Sequence, residues 1–241
     1  MEEKFEVWMR DGLCGEVLLS EKQLNQFYQY YELLIKWNEV MNLTAITELE
    51  QVVTKHFVDS LSLAKIVDNL EDKISLIDVG TGAGFPGIPL KIAFPEIKIT
   101  LLDSLNKRVK FLDEVIGQLG LNEIETVHGR AEDLGRDGKY REKFDLCVSR
   151  AVANLSTLSE YCLPFVKKDG CFVSYKSGKV EEELGQAKGA LKLLGGKIED
   201  TISFCLPRDD GERCLVKIRK VENISKKYPR KAGVPGREPL K

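Results

Sequence analysis

The ten residues Asp78-Val79-Gly80-Thr81-Gly82-Ala83-Gly84-Phe85-Pro86-Gly87 set four glycines behind one carboxylate. Glycines at the carboxyl end of a strand let backbone approach a ligand closely and adopt angles that other residues resist. Asp103 follows Asp78 by 25 residues and closes the next apolar run. A carboxylate at that place can accept both hydroxyls of a ribose. Glycine loop and ribose acid together indicate an adenosine-containing cofactor. Gly82, Gly84 and Gly87 also satisfy the G-x-G-x-x-G pattern of dinucleotide binders, a weak signal alone, so the loop by itself leaves the cofactor open.

A sheet must hold these residues. Residues 74–79 read as a first strand, 97–102 as a second, and further strands fall at 124–128, 144–149 and 170–175. Between them lie helical stretches at about 86–94, at Val109 to Leu119 (ended by Gly120), near 154–165 and at 179–194. Strands alternating with helices specify a parallel, doubly wound sheet. After Gly195-Gly196 come two strand-like runs, 197–204 and 213–218, with no room for a helix between them, so they should form an antiparallel hairpin. Upstream, Ser20 and Gln23 form a capping box. Leu24, Phe27, Tyr28, Tyr31, Leu34 and Ile35 then mark an amphipathic helix over 21–40. Thr47 with Glu50 signals a second start, before Val52, Val53, Phe57, Leu61 and Leu63. The expected fold is α/β: a doubly wound, Rossmann-like class I methyltransferase sheet of seven strands, the last antiparallel, with an N-terminal helical cap. The expected division is 1–73 cap, 74–220 methyltransferase domain and 221–241 basic C-terminal tail.

Three features choose S-adenosylmethionine over a dinucleotide. Asp78 lies just before the first glycine, where an acid orients a methionine ammonium and repels a pyrophosphate. Gly129-Arg130-Ala131-Glu132-Asp133-Leu134 follows the third strand, where methyltransferases place an acid near the adenine amine. The terminal hairpin is the third.

Composition fits a soluble globular protein: 241 residues, 43% hydrophobic and 31% charged. No run of about 18 apolar residues spans a membrane, and the N-terminus lacks the order of a secretory signal, so the cytoplasm is expected. Six cysteines without a Cys-x-x-Cys pair, and only His56 and His128 beside them, argue against a metal centre. Cys147, Cys171 and Cys214 read as core hydrophobes. The net charge of −2 is uneven: residues 217–241 carry nine Lys/Arg against Glu222 and Glu238. That tail reads equally as a contact for nucleic-acid phosphates or as a solvated segment.

Further motifs are Trp37-Asn38 with Asn42-Leu43-Thr44, His56-Phe57-Val58-Asp59-Ser60-Leu61 and Ser149-Arg150-Ala151-Val152. To these add Lys176, Gly211-Glu212-Arg213 and Tyr228-Pro229-Arg230-Lys231-Ala232-Gly233. With the Phe85-Pro86 loop and Gly129 to Asp133, they resemble the bacterial glucose-inhibited division protein B family, small-subunit rRNA guanine-N7 methyltransferases. The resemblance runs from about Trp37 to the C-terminus and leaves the first 15 residues unmatched. It implies a cofactor pocket of Gly80, Phe85, Asp103, Ser104, Leu105, Ala131, Glu132 and Arg150, joined by Asp78, Gly82 and Gly84 of the loop. It places Asn42, Arg130, Lys176 and Arg213 toward the target nucleotide, with Arg150, Lys176 and Arg213 nearest the chemistry. His56 reads either as a core histidine or as a site residue, and Arg150 either as a site residue or as a structural ion pair. The implied partner is 16S rRNA or the small subunit, methylated by a monomer at a guanine of the decoding-region loop. Guanine N7 exposes a lone pair, which suits a chain without an acid–base dyad. Two rivals stay open, a small-molecule methyltransferase and a non-catalytic RNA- or cofactor-binding module.

Overall fold

The computed structural model describes residues 3–150, 153–178 and 180–241. Ala151 and Val152 of the Ser149 to Val152 motif, and Lys179 at the start of one expected helix, lie outside the described residues. The strands are β1 (Ser75–Val79), β2 (Lys98–Asp103), β3 (Ile124–His128), β4 (Phe144–Arg150), β5 (Val166–Ser177), β6 (Gly196–Cys205) and β7 (Glu212–Lys220). They form one sheet in the order β3-β2-β1-β4-β5-β7-β6. The first five pair in parallel, and β7 runs antiparallel to both β5 and β6. The expected hairpin is therefore present, with its second strand inserted between the first and the rest of the sheet. Strand order reverses between β1 and β4, and a sheet of this kind binds ligands outside the carboxyl ends of its strands at such a switch point.

The helices are α1 (Glu3–Leu13), α2 (Glu21–Met41), α3 (Leu49–Val52), α4 (Asp59–Leu61), α5 (Gly87–Ala93) and α6 (Asn106–Leu119). They continue with α7 (Ala131–Leu134), α8 (Leu155–Cys162), α9 (Glu181–Leu193) and α10 (Val234–Arg237). Side chains alternate across each strand, so the two faces of the sheet bury different sets. Leu76, Leu146, Val148, Val173 and Leu215 join Leu24, Phe27, Tyr30 and Leu34 of α2 in one buried cluster. Ile77, Cys147, Phe172 and Val216 join Leu155, Leu158 and Cys162 of α8 and Leu191 of α9 in the other. Helical cap and sheet thus share a core. Cys147, Cys171 and Cys214 are buried free thiols, as expected, and Cys162 joins them.

The capping box forms: Gln23 Oε1 accepts the Ser20 amide at 2.8 Å, and Ser20 Oγ accepts the Gln23 amide at 3.3 Å. The second start differs. Helix α3 begins at Leu49, with Glu48 at the cap position and no side-chain cap bond. The chain then widens into a π-helical turn, Val53–Val58, before α4. Helix α1 is held by Phe5 and Met9, both fully buried.

Candidate active site

A crevice of about 190 Å³, open to solvent, lies at the carboxyl ends of β1, β2 and β4. Gly80, Asp103, Ser104, Gly129, Arg130, Ala131, Glu132, Ser149, Leu158 and Tyr161 line it. Five expected cofactor residues, Gly80, Asp103, Ser104, Ala131 and Glu132, thus meet in one crevice. Asp103 Oδ2 accepts the Gly82 amide at 2.9 Å and Oδ1 accepts the Leu105 amide at 2.8 Å. Arg108 Nη1 stands 3.3 Å from Oδ2. The Asp103 carboxylate is therefore fixed by two backbone amides. Leu105, the residue before α6, contributes that amide while its side chain stays exposed.

Asp78 is fully buried. Its Oδ2 accepts the Thr81 hydroxyl at 2.7 Å and the Gly87 amide at 2.8 Å, tying both ends of the glycine loop together. Oδ1 has no hydrogen-bond partner among the described residues. Burial pushes its carboxyl up to about 6, against the opposing pull of the Thr81 and Gly87 hydrogen bonds. An orphaned buried acceptor beneath the loop fits a cationic donor such as the ammonium of S-adenosylmethionine, as the sequence suggested. Gly84 takes φ +97°, and a Cβ there would lie 2.6 Å from the Tyr30 hydroxyl, so the loop has no room for a side chain. That hydroxyl donates to the Ala83 carbonyl, so α2 clamps the loop from outside.

Other expected residues lie elsewhere. The Phe85 side chain does not enter the crevice; its ring stacks on His56 at 4.5 Å and packs against Tyr30 and Phe57. Arg150 ends β4 on the cap face: Nη1 donates to Asp59 Oδ2 at 2.8 Å and to the Lys55 carbonyl at 3.1 Å. Its guanidinium also lies 5.1 Å over the Phe85 ring. Arg213 shares the same acid, with Nε 3.5 Å from Asp59 Oδ1, and pairs with Asp209 at 2.9 Å. Asp59, quoted within a sequence motif but given no role, is the hub of this cluster. His56 caps it, with Nδ1 3.1 Å from the Lys55 carbonyl and Nε2 2.9 Å from Thr44 Oγ1. Burial and the adjacent Arg150 charge hold the imidazole down to about 3, so the ring is neutral. Nδ1 faces both the Lys55 carbonyl and, at 3.4 Å, the Arg150 Nη2 group.

Lys176 does not join Arg150 and Arg213. It lies on the opposite face of the sheet, 2.7 Å from both Glu183 Oε1 and the Ala153 carbonyl. Strand register explains the split: Arg150 pairs with Tyr175, and Lys176 points the other way. Asn42 is the left-handed residue (φ 48°) that ends α2 and is solvent-exposed, a backbone role suited to asparagine. Arg130 stands exposed at the crevice rim.

Residues 221–241 pack back onto the enzyme. Arg230 grips the fully buried Glu160 of α8 through Nε at 2.9 Å and Nη2 at 2.7 Å. Arg141 Nη1 donates to the Tyr228 carbonyl at 2.8 Å, and Thr157 Oγ1 to the Pro235 carbonyl at 3.1 Å. Among the described residues no cluster of His, Cys, Asp or Glu suits a metal ion, and no helix is long and apolar enough to cross a membrane.

Sheet order, glycine loop and acid-lined crevice define a Rossmann-like class I methyltransferase that uses S-adenosylmethionine. A family model described as rRNA small subunit methyltransferase G matches residues 23–210, and the chain belongs to that family. It is 56% identical over 222 residues to the ribosomal RNA small subunit methyltransferase G of Lachnoclostridium phytofermentans, covering 92% of this chain and 91% of that protein. The protein of the same name from Acetivibrio thermocellus is 53% identical over 231 residues, 95% and 94% of the two chains. Among solved structures, M. jannaschii TYW2 in complex with AdoMet superposes with a TM-score of 0.52 at 15% identity, covering 68% of this chain and 77% of that one. At that identity the likeness is one of fold.

Proposed function

We propose that this chain is a cytoplasmic, monomeric enzyme that methylates N7 of a guanine in the decoding-region loop of 16S rRNA, as free RNA or in the small subunit. The carrying observation is the crevice in which Asp103 and Glu132 stand beside Gly80, in a chain of this family. Free thiols at every cysteine favour a reducing compartment.

S-adenosylmethionine, when bound, supplies a methyl group activated by its sulfonium. In this reading Asp103 accepts the ribose hydroxyls, Glu132 faces the adenine amine, and Asp78 Oδ1 attracts the ammonium. Gly80, Gly82 and Gly84 give the backbone its close approach. Arg150 and Arg213, held by Asp59, mark the side from which the nucleotide enters, with Arg130 and Asn42 along its path. Lys176 holds the Ala153 carbonyl at the start of the stretch leading into α8. Guanine N7 attacks with its own lone pair, so these residues position the base and shape the field around it without removing a proton.

The test is transfer of labelled methyl to unmodified 16S rRNA and to small subunits, with nucleoside analysis of the product. Label in 7-methylguanosine is expected. Release of S-adenosylhomocysteine with unlabelled RNA would mean a small-molecule acceptor, and cofactor binding without turnover would mean a binding module.

A further inference from the structure

The C-terminal segment reaches the cofactor crevice itself. The amide of Gly233 donates to Glu132 Oε1 at 2.8 Å, across 101 positions of sequence. Glu132 is 6% exposed and lines the crevice. Gly233 takes φ +79° with nothing within 4 Å of a would-be Cβ, so its glycine answers a backbone angle and not a lack of space. The segment is seated on both sides of that bond. Upstream, Pro229 gives its carbonyl to Arg136 at 2.8 Å, and Arg230 is locked on Glu160. Downstream, Pro235 is held by Thr157. Helix α10 follows, where a Cβ on Gly236 would sit 3.4 Å from the hydroxyl of Tyr161, another crevice residue. The strap thus touches α7 and α8, the two helices that wall one side of the crevice.

We propose that this strap is a positioning element for cofactor recognition: the Gly233 amide engages one oxygen of Glu132 so that the other is presented to the exocyclic amine of the adenine. A charge-assisted bond from a backbone donor fixes a carboxylate more firmly than a mobile side chain would. Of the tail's basic residues, Arg230 is a structural contact, since it is spent on Glu160. The proposal rests on reading the crevice as the adenosyl pocket, and its test separates the two.

The experiment is equilibrium binding of S-adenosylhomocysteine and of S-inosylhomocysteine, which carries a 6-oxo group in place of the amine. The proteins are the full chain, Gly233→Pro, Gly233→Asn and a chain ending at Arg230. Proline removes the donor, asparagine keeps it and tolerates the positive φ, and the shortened chain removes the donor while retaining Arg230 on Glu160. The full chain should prefer the amino ligand at least tenfold. Gly233→Pro and the shortened chain should lose most of that ratio, and Gly233→Asn should keep it. If both ligands weaken together at a constant ratio, the strap is merely structural and the proposal falls. If the full chain shows no preference, the adenine assignment of Glu132 fails first.

Discussion

Asp59 stands between Arg150 and Arg213, 2.8 Å from Nη1 of the first and 3.5 Å from Nε of the second. One buried carboxylate therefore balances two guanidiniums that come from different strands, β4 and β7. Asp59→Asn keeps the shape and removes the charge, leaving both arginines to repel each other. Breaking a buried pair costs about 3 kcal/mol, readable in a denaturant melt. None of Asp59, Arg150 and Arg213 lines the crevice at the carboxyl ends of β1, β2 and β4, so S-adenosylhomocysteine affinity should hold within about threefold while turnover on rRNA falls at least tenfold. Equal losses of cofactor affinity and turnover would show that the cluster serves the crevice instead.

Tyr30 gives a second handle, on the loop. Its side chain is fully buried and its hydroxyl serves the Ala83 carbonyl. Burial pushes its phenol well above the ordinary range, so it is a permanent donor. Tyr30→Phe leaves that carbonyl unsatisfied at a cost of about 1–3 kcal/mol. Cofactor affinity should fall several-fold because the loop loses its outer clamp, with RNA affinity unchanged. A variant as stable as the parent with full cofactor affinity would show that the loop holds itself.

What the sequence disclosed, and what it hid, follows from range. The strands, the hairpin and the glycine loop are local patterns, and each was found within a few residues of its place. Asp103 and Glu132 were legible because each ends or follows a strand whose position was already known. The contacts that were hidden are long-range. Arg230 and Glu160 are 70 residues apart, and composition alone reads the tail as a basic appendage. Lys176 was grouped with Arg150 and Arg213 on the family resemblance. Only the register of β4 on β5 and of β5 on β7 decides which face each takes. Tyr30 was missed on the apolar face of its helix, where the spacing was read through Tyr28 and Tyr31 while the buried residue is Tyr30, and the π-helical turn at Val53–Val58 has no compositional mark at all.

Stability against pH should carry opposite marks from two buried groups. The neutral His56, held down to about 3, binds its proton in the unfolded chain near 6.5 and not in the folded one. Folded stability from His56 is therefore full above about pH 6.5 and is lost as pH falls toward 3, by at most about 1.4 kcal/mol per unit. Asp78, raised to about 6 from 3.8, works the other way: the folded state holds the extra proton, so stability declines as pH rises through that window. In urea melts, the parent-minus-His56→Gln difference should grow from pH 4 to 6.5 and then flatten. The parent-minus-Asp78→Asn difference should shrink over pH 4 to 6. A flat histidine curve would mean that the ring is not held neutral.

Asp103 makes the most severe demand, because both its oxygens already accept backbone amides, from Gly82 and from Leu105. Asp103→Ala removes both acceptors and the charge facing the ribose, so cofactor affinity should fall at least about a hundredfold, on the scale of two or more lost charge-assisted bonds. Asp103→Asn is nearly the same size, yet its NH₂ must face either the Gly82 or the Leu105 amide, donor against donor. The amide variant should therefore bind cofactor no better than the alanine variant, and it should melt at a lower denaturant concentration than its conserved shape suggests. Calorimetric titration with S-adenosylhomocysteine measures the first and a urea melt the second. Near-parental affinity in Asp103→Asn would show that shape and not charge is what the ribose site uses, and the carboxylate's role would have to pass to another group in the crevice.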